Sequence, residues 1–153
     1  MILTEEEGIY CVIFRLEKQA LFQIGKLGEQ EFLPGFYFYC GSAKGEGGIS
    51  RRVNRHLKKD TKKFWHIDFL KEKVNPIRIW FLTSMERCEC DLVQNLRIDP
   101  KVSYSMKGFG ASDCTERCYS HLLYAPDTNN LDDVFKQLQN RMPDCRQCLI
   151  DQK

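Results

Sequence analysis

The stretch of residues 8–40 constrains the chain most. It is rich in β-branched and aromatic residues and is cut into short pieces by glycines and one proline. Residues 9–14, 20–24 and 36–40 are predicted strands, the last following the turn signal Pro34-Gly35. Connections this short favour antiparallel pairing, because parallel neighbours need a long crossover.

Past a flexible glycine-rich break at residues 45–48, Ile49, Val53 and Leu57 recur every four residues. That spacing places them on one face and predicts a helix over 49–59. Residues 64–70 keep helix-compatible spacing, and Pro76 marks a boundary before the apolar strand expected at 77–82. A second helix is expected over 85–97, ending before Pro100. A glycine-rich loop over 107–113 and a short strand over 122–124 follow. Leu131, Val134, Phe135, Leu138 and Met142 form an amphipathic stripe, which predicts a C-terminal helix. Its apolar face needs a partner, and a second protein or a second copy of the chain is the expectation. The fold class is therefore α+β, resembling α/β/α layering: a small, mainly antiparallel sheet flanked by helices. A chain of 153 residues holds one such domain, expected over 1–126, with 127–153 as a C-terminal helix and cysteine-containing tail.

Hydrophobic residues at 42% and charged residues at 29% fit an ordinary globular chain and exclude a disordered or collagenous one. No apolar run is long enough for a membrane span, and the acidic start differs from the positive start of a signal peptide. A cytoplasmic location, with no membrane partner, is the expectation. Charge is unevenly placed: residues 44–63 carry eight Lys or Arg against Glu46 and Asp60, a local net of +6. Such a surface suits the phosphate backbone of a nucleic acid. Eight cysteines in a reducing compartment point to thiols, metal sites or redox chemistry rather than disulfides.

Gly8-Ile9-Tyr10 opens the first predicted strand. Tyr39-Cys40-Gly41-Ser42-Ala43-Lys44 closes the third, and Arg52 and His56 lie on the helix that follows. This pattern resembles the GIY-YIG nuclease superfamily, with Tyr39-Cys40-Gly41 in place of the second triplet. More narrowly, the chain looks like an uncharacterised domain family of that superfamily, some of whose members are fused to endonuclease III-type repair enzymes. The matching segments are Tyr39 to Ala43, Arg52 to His56, Trp65-His66-Ile67-Asp68, Glu89-Cys90, Gly108 to Cys114 and Ser120-His121-Leu122. The resemblance implies a metal-dependent nuclease with Tyr10, Tyr39, Arg52, His56 and Glu89 as catalytic residues. Tyr10 is then the candidate general base, and Glu89 holds Mg2+ or Mn2+. Residues 21–32 look like an inserted hairpin relative to compact members.

The chemistry supports the comparison independently. Phosphodiester hydrolysis needs a positioned water, a proton acceptor, and cationic stabilisation of the extra negative charge. Arg52 and His56, four residues apart, project from one helical face. Arginine offers a bidentate fork to phosphate, and histidine exchanges protons near neutrality. A base role for Tyr10 requires a lowered phenol pKa, which a metal or arginine nearby would supply. Helix phase leaves Glu86 open beside Glu89. Ser42, Lys44, Arg51, Arg55 and Lys58 are expected on the substrate, with His66, Asp68, Asp113 and His121 as further cleft candidates. The alternative for His66 and Asp68 is a structural role.

Cys114 and Cys118, with Cys145 and Cys148, have spacings that suit a structural zinc tying the tail to the domain, with His121 as an alternative ligand. The leading function is a metal-dependent nuclease acting on DNA or RNA. The alternatives are a non-catalytic nucleic-acid-binding module and a zinc- or thiol-based accessory domain.

Overall fold

The structure, a computed structural model, describes residues 3–111 and 114–150. Along the chain come β1 (Gly8–Leu16), β2 (Ala20–Gln23), β3 (Glu29–Phe32), β4 (Gly35–Ala43), α1 (Gly48–Leu57) and α2 (His66–Leu70). They are followed by β5 (Asn75–Thr83), α3 (Glu89–Arg97), β6 (Ser103–Tyr104), β7 (Leu122–Ala125), α4 (Leu131–Arg141) and β8 (Arg146–Leu149). The fold is α+β. Six antiparallel strands form one sheet in the order β6-β7-β4-β1-β5-β8, and β2-β3 is a separate two-stranded hairpin.

Every residue of β1 except Arg15 is buried, so the strand must be covered on both faces. Its alternation sorts the core. Tyr10, Val12 and Phe14 pack with Ile49 and Val53 of α1 and Ile67 and Leu70 of α2. Ile9, Cys11 and Ile13 pack with Leu92, Val93 and Leu96 of α3 and Leu131, Val134 and Leu138 of α4. Helices on both faces of the sheet make the expected layers.

Helix boundaries depart from the periodicity where side chains claim the backbone. The helix expected from residue 85 begins at Glu89, because the Ser84 hydroxyl accepts the amides of Glu86 and Arg87 in a turn. The helical run expected from residue 64 begins at His66, because the Asp68 carboxylate accepts the amides of Phe64 and Trp65. The first amides of α1 are taken by the preceding segment: Ile49 donates to the Glu6 carbonyl and Ser50 to the Thr4 carbonyl.

Residues 127–150 share this core. The apolar face of α4 is covered by the sheet, with the Phe135 ring centroid 5.1 Å from that of Trp80. Thus the stripe that suggested an external partner is satisfied within the chain. β8 pairs with β5, and the Gln147 side chain accepts the indole N–H of Trp80 at 2.8 Å. Arg-Gln-Cys-Leu carries little strand propensity, so β8 was invisible to pattern alone. Among the described residues no helix is long and apolar enough to cross a membrane.

Trp80 therefore joins the sheet, α4 and β8. Trp80→Ala should lower unfolding stability by about 3–5 kcal/mol, read as a reduced urea midpoint with little change in slope.

Candidate active site

Tyr10 and Gly41 are register partners on β1 and β4, and the tyrosine ring lies directly against the glycine. A Cβ at Gly41 would fall 2.4 Å from the phenolic oxygen, so only glycine permits this approach. The phenol reaches His56 of α1, its oxygen 2.7 Å from Nε2. Both residues are nearly inaccessible. Burial raises the Tyr10 pKa well above that of a free phenol. Tyr39 adds to the rise, and the opposing pull of Arg52 is smaller. Arg52 alone therefore does not supply the lowering that a base role for this phenol requires. Burial likewise raises Tyr39, with Asp68 and Glu89 adding to it.

His56 is pushed the other way, to about 3, first by burial and then by Lys71 and Arg55. Its imidazole is neutral at physiological pH. Nδ1 is buried and makes no hydrogen bond, while Nε2 faces the phenol. The neutral imidazole accepts the phenol's hydrogen bond at Nε2, but a value of about 3 makes it a weak base on its own.

Around this pair lies a cleft of about 520 Å³ whose walls include Tyr10, Tyr39, Ser42, Lys44, Arg52, His56, Trp65, His66, Glu89 and His121. The structure thus gathers Tyr10, Tyr39, Arg52, His56 and Glu89 at one end of the sheet. Arg52 donates through Nη1 to the Ser42 carbonyl at 3.2 Å, which fixes the guanidinium at the rim. The Ser42 hydroxyl donates to the Glu89 carboxylate and accepts the Glu89 amide. Glu86 is exposed and absent from these walls, so geometry selects Glu89 where helix phase could not. One carboxylate with room for waters and phosphate oxygens fits a magnesium-like ion. Lys44 donates to the Met85 carbonyl at 3.2 Å and stands on the same rim.

A second hollow of about 650 Å³ adjoins the first, sharing Lys44, Arg52 and Trp65 with it. Its other walls include Arg51, Arg55 and Lys58, so the basic face of α1 leads into the cleft. Arg55 is held back from free contact. Its fork binds the Asp68 carboxylate at 2.8 and 3.0 Å, and its charge lies 4.4 Å from the Trp65 ring centre.

Asp68 is fully buried beneath that fork, and Lys71 approaches it to 3.3 Å. Burial alone would raise the Asp68 pKa. The bonds from Arg55, Trp65 and Phe64 outweigh it and hold the carboxyl well below the usual range. Asp68 thus stands behind the cleft as an anchor for α1 and α2. His66 is in the cleft wall, where its Nδ1 accepts the Gly110 amide at 2.8 Å and tethers the glycine-rich loop. Asp113 lies outside the described residues.

The thiols assemble differently from their sequence spacing. Cys114 and Cys118 meet Cys90 and His121, with all four donor atoms within 4.8 Å of one another, and this group could hold a metal ion. Cys145 and Cys148 are elsewhere. Cys145 is buried in the core beneath α4, and Cys148 sits on β8 opposite Ile79. The expected quartet is therefore corrected: Cys90 and His121 replace the tail pair, because β8 carries the tail to the far edge of the sheet. Cys90 follows Glu89 directly, and nothing in local spacing linked it to a loop more than twenty residues on.

A family model described as a domain of unknown function, DUF123, matches residues 9–143. No curated protein and no solved structure matches the chain.

The pKa directions make stability acid-sensitive. His56 has a folded value of about 3 against 6.5 when free, so the unfolded chain binds more protons between these limits. Its contribution is complete above about pH 6.5 and is lost as pH falls toward 3. Asp68 adds a second loss at lower pH, as its carboxyl begins to protonate. Urea midpoints measured from pH 7.5 down to 4.5 should fall, and His56→Gln should flatten that decline.

Proposed function

The chain belongs to the DUF123 family, a domain of unknown function, and from its site we propose that it is a metal-dependent nuclease hydrolysing phosphodiester bonds in DNA or RNA. The observation that carries this reading is the convergence of a neutral Tyr10–His56 pair, Arg52 and Glu89 on one cleft at the end of a basic groove. The resemblance to GIY-YIG nucleases assigns roles to the same residues.

Each side chain then has a distinct task. The guanidinium of Arg52 spends one N–H on the Ser42 carbonyl and turns the rest of its fork to a phosphate. Tyr10 contacts the attacking water and passes a proton to Nε2 of His56, whose low proton affinity is raised by the negative charge of a bound phosphate, so a standing phenolate is unnecessary. The high pKa of the isolated phenol fits this relay, because the proton leaves only as the water gives up its own. Tyr39 remains a phenol and donates to a phosphate oxygen. Glu89, oriented by the Ser42 hydroxyl, would hold Mg2+ or Mn2+. When bound, that ion supplies Lewis-acid stabilisation of charge on the phosphate. The thiol and imidazole donors beside Glu89 are softer and suit zinc instead.

Substrate approach follows the charge. Arg51 and Lys58 line the second hollow with Lys44 at its junction with the cleft, so they neutralise backbone phosphates flanking the scissile one. These contacts carry no base sequence, and affinity should fall steeply with salt.

Purified protein with Mg2+ or Mn2+ should cleave single-stranded, duplex or branched DNA or RNA. Arg52→Ala and Glu89→Ala should each slow cleavage about 10²–10³-fold. The Glu89 variant should still bind the strand. Cleavage undiminished in both variants would mark a contaminant, whereas metal-independent binding without turnover would identify a non-catalytic binding module.

A further inference from the structure

Behind Glu89 the donor group Cys90, Cys114, Cys118 and His121 is built to a definite geometry. The Cys90 and Cys114 sulfurs are 3.4 Å apart, and the Cys90 sulfur is 3.7 Å from Nε2 of His121. In a tetrahedral zinc site, metal–sulfur and metal–nitrogen bonds of about 2.3 and 2.0–2.1 Å place two sulfurs roughly 3.8 Å apart and a sulfur and a nitrogen roughly 3.5 Å apart. The two close separations lie within a few tenths of an ångström of those values, and all four donor atoms lie within 4.8 Å of one another.

Its backbone is arranged to suit. Cys114 and Cys118 flank a tight loop in which Arg117, a non-glycine residue, adopts φ +55°. The amides of Glu116 and Cys118 point to the Cys114 sulfur. His121 is fixed from both sides of its backbone, donating to the Phe109 carbonyl and accepting from the Cys40 amide. Cys90 and His121 are buried and Cys114 and Cys118 half-buried, so the group sits at the edge of the core. Three thiols and one imidazole select a soft or borderline ion over magnesium, and four protein donors leave no position for a reacting water.

We propose that Cys90, Cys114, Cys118 and His121 bind one structural zinc ion, and that this ion holds Glu89 toward the cleft. On binding, three thiol protons pass to solvent and three sulfur–zinc bonds and one nitrogen–zinc bond form. The ion then joins three segments: the first turn of α3, the 114–118 loop, and the approach to β7. Glu89 precedes a ligand in sequence, and one of its oxygens lies 3.9 Å from Nδ1 of His121, the other ring nitrogen being the one near the Cys90 sulfur. Orientation of a metal-bound imidazole by a carboxylate beyond it is common. The binding claim stands on the cage alone, whereas the claim about Glu89 also rests on the nuclease reading.

Elemental analysis of protein purified under reducing conditions should find one zinc per chain. After chelation, Co2+ added to wild type should produce the sulfur-to-cobalt charge-transfer and tetrahedral d–d absorption bands. Cys114→Ser and Cys90→Ser should abolish both signals, and Cys148→Ser should keep them. Wild type lacking zinc and showing no cobalt bands would overturn the proposal, as would full zinc content in Cys114→Ser; the wild-type arm is decisive even if a variant misfolds. Zinc-stripped protein should lose Mg2+-dependent cleavage at least tenfold and regain it with zinc. Cleavage unaffected by stripping would overturn the link to Glu89, while bound zinc with no cleavage under any condition would overturn the nuclease reading and leave the zinc site standing.

Discussion

The fully buried carboxylate of Asp68 fixes the geometry on which the cleft depends. A charge with no solvent contact is tolerated only if its partners replace water, and Asp68 has the Arg55 fork, Lys71 and two backbone amides. Arg55 comes from α1 and the amides from the start of α2, so the charge sets the angle between those elements. It also places Trp65 beneath the Arg55 guanidinium and in contact distance of the His56 ring. The same positive charges that satisfy Asp68 help keep His56 neutral. A structural ion pair and a neutral imidazole are thus parts of one electrostatic arrangement.

The second constraint is steric. β1 is buried on both faces, which fills the sheet centre but leaves no room for a large side chain opposite Tyr10. Gly41 resolves the conflict by letting the ring lie across β4 toward α1. The phenol consequently enters the cleft from below, shielded from water except where a substrate would sit. That shielding raises the phenol pKa, so its chemistry must be coupled to a neighbour. His56 is the neighbour the fold provides.

How much of this was legible in sequence depended on whether the information was local. Periodicity located all of the long elements, and the spacing of Arg52 and His56 foretold a shared helical face. The Gly8-Ile9-Tyr10 and Tyr39-Cys40-Gly41 triplets marked strands that do meet. Other features were set by contacts between distant segments. The direction of the Tyr10 pKa shift follows from burial by two layers, which no triplet encodes. β8 forms because β5 offers an open edge, although its own residues have little strand preference. Arg55 looked like one more phosphate ligand in a basic run, and only its meeting with Asp68 reveals another engagement. Pairing cysteines by sequence spacing fails for the same reason, since Cys90 reaches the 114–118 loop through the packing of α3.

Two groups of side chains of opposite chemical character lie on either side of Glu89 and His121. Toward the cleft are a carboxylate, a hydroxyl and open space, which favour a hard ion that keeps its waters. Away from it are thiols and an imidazole in one close group. Glu89 belongs to the first and directly precedes a member of the second. Because α3 starts at this residue, its first turn cannot shift without moving both groups. A rigid soft-metal cage would keep one carboxylate placed for a weakly held hard ion, allowing the latter to exchange with substrate while the former stays. Separation by donor type would keep two such ions from competing, because thiolate ligation carries affinity for zinc and a lone carboxylate carries little.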